Sequence, residues 1–290
     1  QLNWEIISGD SVQVYRHLNI GSAKPTVEER QGIPHFLIDE LDLDEPFTVA
    51  LFREYAQRYI RKIRERNHIP IVVGGTGLYI RSLLDPFEFC QSGSEQIRQK
   101  WDAFLKVHGK VALHNALKER DPVTAAKLHP HDTVRIIRAL EIYELTGKPK
   151  SEQVPDHNKI YPPLDPSILY LGLHAPREAL YERINKRCVK MIDQGLIEET
   201  AKILQSGYSP HLKPLQSFGY RHAIWYLHGK VTHDEMLRLL QRDTRRFAKR
   251  QLTWFKRDPR IRWFDITAQS LEEIVMEVVA TCRGLQSRVE

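Results

Sequence analysis

Two short apolar runs, each stopping in small or polar residues, set the strongest constraint on this chain. EIIS at residues 5–8 is followed by Gly9 and Asp10, and IPIVV at 69–73 is followed by GGTG at 74–77. Runs of this kind suit strands buried on both faces of a parallel sheet, and parallel neighbours need a crossover between them. The intervening TVALFREYAQRYIRKIRER, residues 48–66, supplies one: Phe52, Ala56, Tyr59 and Ile63 recur at helical spacing, and Thr48 stands where an N-cap is expected. The pattern predicts strand, helix, strand. Ligand-facing groups are then expected just beyond the strand ends, in SGDSVQVYR (8–16) and in GGTGLY (74–79).

A third apolar run, ILYLGL at 168–173, is expected to rejoin the same sheet. Residues 94–150 are charged, helical in pattern and without a strand-like run, which predicts a helical insertion between core segments 1–93 and 151–290. Pro- and Asp-rich residues 150–166 read as the connection back, and helices are expected over 177–205 and 232–255. No segment approaches the ~18 apolar residues of a membrane span, and no signal-peptide pattern opens the chain, so a cytoplasmic location is expected. Cys90, Cys188 and Cys282 form no CxxC pair, which argues against a disulfide framework or a zinc site. No GxxxxGK[ST] phosphate loop occurs, and the residues before Ser8 are too few for a strand, loop and helix. Either that element is not part of the protein, or this sequence begins downstream of it.

Charge is concentrated. Residues 238–262 carry ten Lys or Arg against two Asp, so this stretch holds +8 while the whole chain holds +6. The excess points to a polyanion on one face, and nucleic acid is the preferred partner over a membrane surface or a protein. Leu240, Phe247, Trp254 and Phe255 form an apolar stripe along the same helix, which reads as core. Asp10, at a strand end, reads either as a turn former or as a proton acceptor, with Ser11 and Gln13 able to hydrogen-bond a base edge. Thr76 in GGTG is the one side-chain donor of a glycine turn that can approach an anion. Arg183 and Arg187, four apart, share a helix face that is either solvated or able to clamp a diphosphate.

SGDSVQVYRHLNIGSAKPT, IPHFLID, PIVVGGTGLYIRSLL, LHPHDTVRIIRALEIYELTGKP, FGYRHAIWYL and AKRQLTWFK stand here in one order, and the set resembles the bacterial tRNA dimethylallyltransferase (tRNA isopentenyltransferase) family over nearly the whole chain. The resemblance implies an α/β fold, a P-loop nucleotide-kinase-like parallel sheet flanked by helices, with an inserted all-helical module that grips the anticodon stem-loop. It implies transfer of a dimethylallyl group from dimethylallyl diphosphate to the exocyclic amine of the adenosine 3′ of the anticodon, in tRNAs reading U-starting codons. Magnesium (Mg2+) is the implied cofactor. By the same resemblance Asp10 matches the general base, Arg187 the diphosphate contact and Thr76 a channel residue. Ser11, Val12 and Gln13 match the segment touching the target nucleotide. Arg98, Arg135, Arg138, Gly219, Tyr220, Arg221 and the block from Lys249 through Arg250 and Gln251 to Lys256 match RNA-contacting regions. A monomer is expected.

One departure bears on all of this. Family members open with a GPTASGKT-like loop that this sequence lacks, so no metal ligand is assigned. A further strand, loop and helix are expected upstream; a chain without them is expected to lose stability and diphosphate binding. A phosphotransferase and a catalytically inactive tRNA-binding protein stay open as alternatives.

Overall fold

Strand β1 (Trp4–Ser8) is central in a computed structural model that describes residues 3–86, 93–153 and 161–286. Cys90 and residues 154–160 of the anticipated connection lie outside the described residues. β1 pairs in parallel with β2 (His35–Phe36) on one side and β3 (Ile69–Val73) on the other, with Ile6 opposite Ile71. The crossover is α1 (Val49–Glu65): Thr48 Oγ1 accepts from Leu51 N at 3.2 Å, and Phe52, Ala56 and Ile63 are fully buried. Each large side chain buried this way contributes about 1.5–3 kcal/mol. Tyr59 stacks on Phe36 at 4.5 Å and donates its hydroxyl proton to Glu40. β2 has only two residues, too short to leave a periodicity. Helix α2 (Gly77–Leu84) follows GGTG directly.

The structure divides into two units, Gln1–Asp85 with Pro163–Glu290, and Pro86–Pro162. The second is helical: α3 (Glu95–Arg120), α4 (Pro122–Lys127), α5 (Thr133–Thr146) and α6 (Lys150–Gln153) enclose Trp101, Leu113, Leu117, Ile136 and Leu140. Gly109, at φ +79°, interrupts α3, a backbone setting that a residue with a Cβ rarely adopts. The unit reaches past the 94–150 of the sequence reading. Buried Asp121 ties the following segment in, accepting from Thr124 N, Ser151 N and Ser151 Oγ.

In the first unit β4 (Leu171–His174) corrects the sequence reading. It pairs in parallel with β5 (Arg262–Asp265), and this ladder is separate from the sheet of β1, β2 and β3. An apolar run announces a buried strand but not its neighbour. The neighbour, RWFD, carries two charges in four residues and gives no strand signal of its own. Helices α7 (Arg177–Asp193), α8 (Leu196–Gln205), α9 (Tyr220–Leu227) and α10 (His233–Phe255) send Ile184, Leu196, Tyr220 and Met236 into the core that holds Ile7 and Phe52. Helix α11 (Leu271–Gln286) follows β5. The apolar stripe of α10 is core only in its first half. Met236, Leu239 and Leu240 are buried, whereas Phe247 is 36% exposed and Trp254 and Phe255 are half-buried. No helix among the described residues is long and apolar enough to cross a membrane.

A buried ionic network closes this unit. Asp85 accepts from Arg81 Nε at 2.8 Å and Arg260 Nη1 at 2.7 Å, and Arg260 also forks onto Asp258. All four side chains are at most 9% exposed. Removing one member of such a network strands a charge away from water, so Asp85→Ala is expected to lower unfolding free energy by about 3–5 kcal/mol in denaturant titrations.

At the far end of β1, Glu5 is 3% exposed and bonded to Arg66 and His68. The Arg66 hydrogen bonds, outweighing burial, hold its carboxyl below the ordinary 4.5. A depressed carboxyl stabilises the fold above its unfolded value, and that contribution is lost as pH falls through the folded one. Melting temperature is therefore expected to drop on acidification below about pH 4.5, with a shallower drop in Glu5→Gln.

Candidate functional site

The site begins where β1 and β3 end. Gly9 N donates to Val73 O at 2.7 Å, and a Cβ built on Gly74 would stand 2.4 Å from the Gly9 carbonyl. The two loops therefore touch backbone to backbone, which only glycine at 74 permits. Asp10, half-buried, sits at this junction. Its Oδ1 accepts from Val12 N at 2.7 Å and Gln13 N at 3.2 Å, so the turn-forming reading of the sequence is realised in the structure. Its Oδ2 has no hydrogen-bond partner among the described residues. Ser11 is exposed and Val12 half-buried beside it. Tyr79, stacked on Phe52 at 4.4 Å, has its phenol pKa pushed well up by burial first and then by the charges of Tyr15 and Asp10.

Helix α10 reaches the second loop. Gln251 Nε2 donates to Gly75 O at 2.9 Å, and Trp254 lies where a Cβ on Gly77 would meet its ring at 2.2 Å. Thr76 begins α2 without a side-chain capping bond, so its hydroxyl is not consumed by the helix. The structure thus brings together Asp10, Ser11, Val12, Thr76 and Gln251. Gln251 acts partly as a brace for the loop.

Two of the expected ligand contacts have their side chains engaged within the protein. Gln13 spends its side chain inside the protein: Oε1 accepts from Ser8 Oγ at 3.0 Å, and Nε2 donates to Ser22 O at 3.3 Å and Ala23 O at 3.2 Å. Tyr220 is fully buried, with its hydroxyl donating to Glu199 Oε1 at 2.5 Å and accepting from Gly21 N at 3.1 Å. Both side chains are held by protein partners. Gly219, also buried, holds φ +88° against Gly21. Sequence reasoning missed Glu199, and no local pattern marks it; its partners Ile20 and Tyr220 are distant in the chain.

The basic residues sort into three groups. Arg260 is buried in the network above, and half-exposed Arg262 pairs with Glu277. Around Asp243 gather Arg221 at 3.4 Å, Arg242 at 2.9 Å and Arg246 at 3.9 Å, with buried His222 at 3.2 Å. Burial first, ahead of its Asp243 hydrogen bond, keeps the His222 pKa down and the ring neutral, so three guanidinium groups surround one carboxylate and leave a positive surplus. Lys249, Lys256 and Arg257 are exposed with no protein partner among the described residues, and exposed Arg250 lies over the Phe247 ring at 5.8 Å. Arg183 and Arg187 are exposed on α7, again without an ion pair among the described residues.

Arg98, Arg135 and Arg138 belong to the helical unit. Buried Glu141 holds Arg98 Nε at 2.8 Å and Arg138 Nη1 at 2.5 Å, while its own segment is fixed by Ser94 N at 2.7 Å. Arg135 is 64% exposed and pairs loosely with Asp132. Among the described residues no three His, Cys, Asp or Glu side chains are grouped to hold a metal ion.

Residues 13–258 match the family described as IPP transferase. The tRNA dimethylallyltransferase of Desulfitobacterium hafniense (strain DSM 10664 / DCB-2) is 61% identical over 289 residues, covering 100% of this chain and 92% of that protein. The one from Carboxydothermus hydrogenoformans is 49% identical over 280 residues, covering 96% and 89%. Among solved structures, the full-length tRNA isopentenylpyrophosphate transferase of Bacillus halodurans aligns with TM-score 0.70 at 39% identity, over 99% of this chain and 90% of that one. A eukaryotic dimethylallyltransferase acting on tRNA aligns with TM-score 0.72 at 30% identity, over 92% and 68%.

Gly74→Ala drives a Cβ into fixed backbone, whereas Gly75→Ala meets only the movable end of Gln251 at 2.1 Å. The first is expected to cost about 1–3 kcal/mol and the second less, read from paired thermal melts.

Proposed function

The chain belongs to the IPP transferase family, and we propose that it transfers a dimethylallyl group from dimethylallyl diphosphate to the exocyclic amine of the adenosine 3′ of the anticodon, in tRNAs reading U-starting codons. The observation that carries the reading is Asp10: a carboxylate with one oxygen tied to its own loop and the other open, at the strand end of a chain 61% identical to a tRNA dimethylallyltransferase.

The chemistry asks for that arrangement. The adenine amine is a poor nucleophile, because its lone pair is spread into the ring, and its proton becomes acidic only as the new bond forms. In the transfer the bond from the allylic carbon to the diphosphate oxygen breaks with its electron pair leaving on the diphosphate, the carbon–nitrogen bond forms, and the amine proton passes to Asp10 Oδ2. Orientation by two backbone N–H groups leaves that oxygen little freedom, which favours proton transfer in one geometry. The diphosphate develops charge as it leaves. Arg187, exposed on α7 and without a protein partner among the described residues, is the proposed cation for it. Removing one such donor commonly costs about 3–4 kcal/mol.

Ser11, Val12 and Thr76 border the proposed nucleotide position. Lys249, Arg250 and Arg221 in one unit, and Arg98, Arg135 and Arg138 in the other, are the proposed phosphate contacts. Such contacts fix register and orientation on the RNA while carrying little sequence information. Among the described residues no three His, Cys, Asp or Glu side chains gather to hold a metal ion, and magnesium is proposed to arrive with the diphosphate, whose charge it would help neutralise. A cytoplasmic monomer acting on the tRNA anticodon stem-loop completes the proposal.

The test is isotope transfer into an anticodon stem-loop RNA from labelled dimethylallyl diphosphate, with labelled ATP as the parallel arm. Label is expected from the first and not the second; the reverse would make the protein a phosphotransferase, and label from neither would leave RNA binding alone. Asp10→Asn is expected to lower kcat about 10²–10⁴-fold while RNA affinity holds.

A further inference from the structure

Tyr220 and Glu199 lie at the far end of a path of hydrogen bonds and loop backbone that ends on Asp10, and the geometry points to both as positioning residues for that carboxylate. The assignment rests on the reading of Asp10 as the base. Glu199, on α8, accepts from Asn19 N at 3.3 Å and Ile20 N at 3.0 Å, and its Oε1 also takes the Tyr220 hydroxyl. Tyr220 in turn accepts from Gly21 N, and its ring fills the space beside Gly21, where a Cβ would come within 2.6 Å. The next two residues of the loop, Ser22 and Ala23, present their carbonyl oxygens to Gln13 Nε2. Gln13 then carries the path to the site by two routes: its Oε1 accepts from Ser8 Oγ, which in turn accepts from Asp10 N at 3.4 Å, and its backbone N–H donates to Asp10 Oδ1.

Two features make this more than core filling. The loop is strained, since His17 at φ +67° and Ala23 at φ +48° occupy a region that residues with a Cβ enter rarely. Such conformations persist only where surrounding bonds over-determine them, and the Glu199–Tyr220 pair adds bonds to Asn19, Ile20 and Gly21, which lie between the two. Tyr220 is also fully buried, so it reaches RNA only through what it holds. A residue of the core needs a ring here. The hydroxyl, shared between a carboxylate and a backbone N–H of the loop, is needed only if the loop must be held in one place.

The test is a steady-state comparison of wild type, Tyr220→Phe, Glu199→Gln, Gln13→Ala and the Tyr220→Phe/Gln13→Ala double variant, with labelled dimethylallyl diphosphate and an anticodon stem-loop RNA. Tyr220→Phe keeps the ring and is expected to lower kcat on the order of tenfold to a hundredfold with KM for the RNA unchanged, as displacement of a catalytic group does. Glu199→Gln, whose amide oxygen still accepts the Tyr220 proton, is expected to lose less. The double variant is expected to lose no more kcat than the worse single one, because both substitutions cut the same path. Unchanged kcat in Tyr220→Phe, a raised KM for the RNA with kcat intact, or fully additive losses in the double variant would each overturn the assignment while leaving Asp10 as the base. A wild type that transfers no label would overturn the base reading, and this inference with it.

Discussion

The contact on which the rest of the site depends is the one between Gly9 and Gly74. Two strands of a parallel sheet end side by side, and their outgoing loops approach so closely that the Gly9 carbonyl occupies the space of a side chain at position 74. Because the loops share this contact, Asp10 and Thr76 stand at one junction, and α10 reaches the same place through Gln251 and Trp254. The strand ends supply position, and the glycines supply proximity. Side chains with any freedom of their own would do neither.

Much of this was legible in the sequence. The crossover from β1 to β3 followed from one amphipathic helix with Thr48 at its start, and the structure places the cap on Leu51 N as expected. The residues alone left Asp10 open between turn former and proton acceptor, and its Oδ1 does close the turn; the family resemblance singled out Asp10 as base and Thr76 as a channel residue. What failed to show did so for physical reasons. Pairing partners of short strands leave no local trace, so β4 was assigned to the wrong sheet and β5 went unseen. Long-range hydrogen bonds are equally silent: nothing near Glu199 announces that it serves a loop 179 residues away. Gln13 and Tyr220 matched RNA-contacting segments of a family, and their hydrogen bonds to Ser8, Ser22 and Glu199 within the protein are likewise not announced by the motif.

The basic stretch teaches a similar distinction. Its net charge was read correctly from composition, but composition treats every guanidinium alike. In the structure Arg260 and Arg262 answer to acidic partners within the protein, and Asp243 organises Arg221, Arg242 and Arg246 around itself. Lys249, Lys256 and Arg257, exposed and without partners among the described residues, carry the part of the charge open to a polyanion. Their contribution would weaken with added salt, whereas the buried pairs are far less screened.

Asp85 is the last residue of the first unit before the helical insertion departs, and it is also the acceptor that Arg81 and Arg260 share. The point of departure is therefore soldered to the segment that follows α10, long after the insertion has come and gone. Anyone grafting a foreign module in place of residues 86–162 should splice after this aspartate. A cut even one residue earlier would discard the anchor along with the cargo.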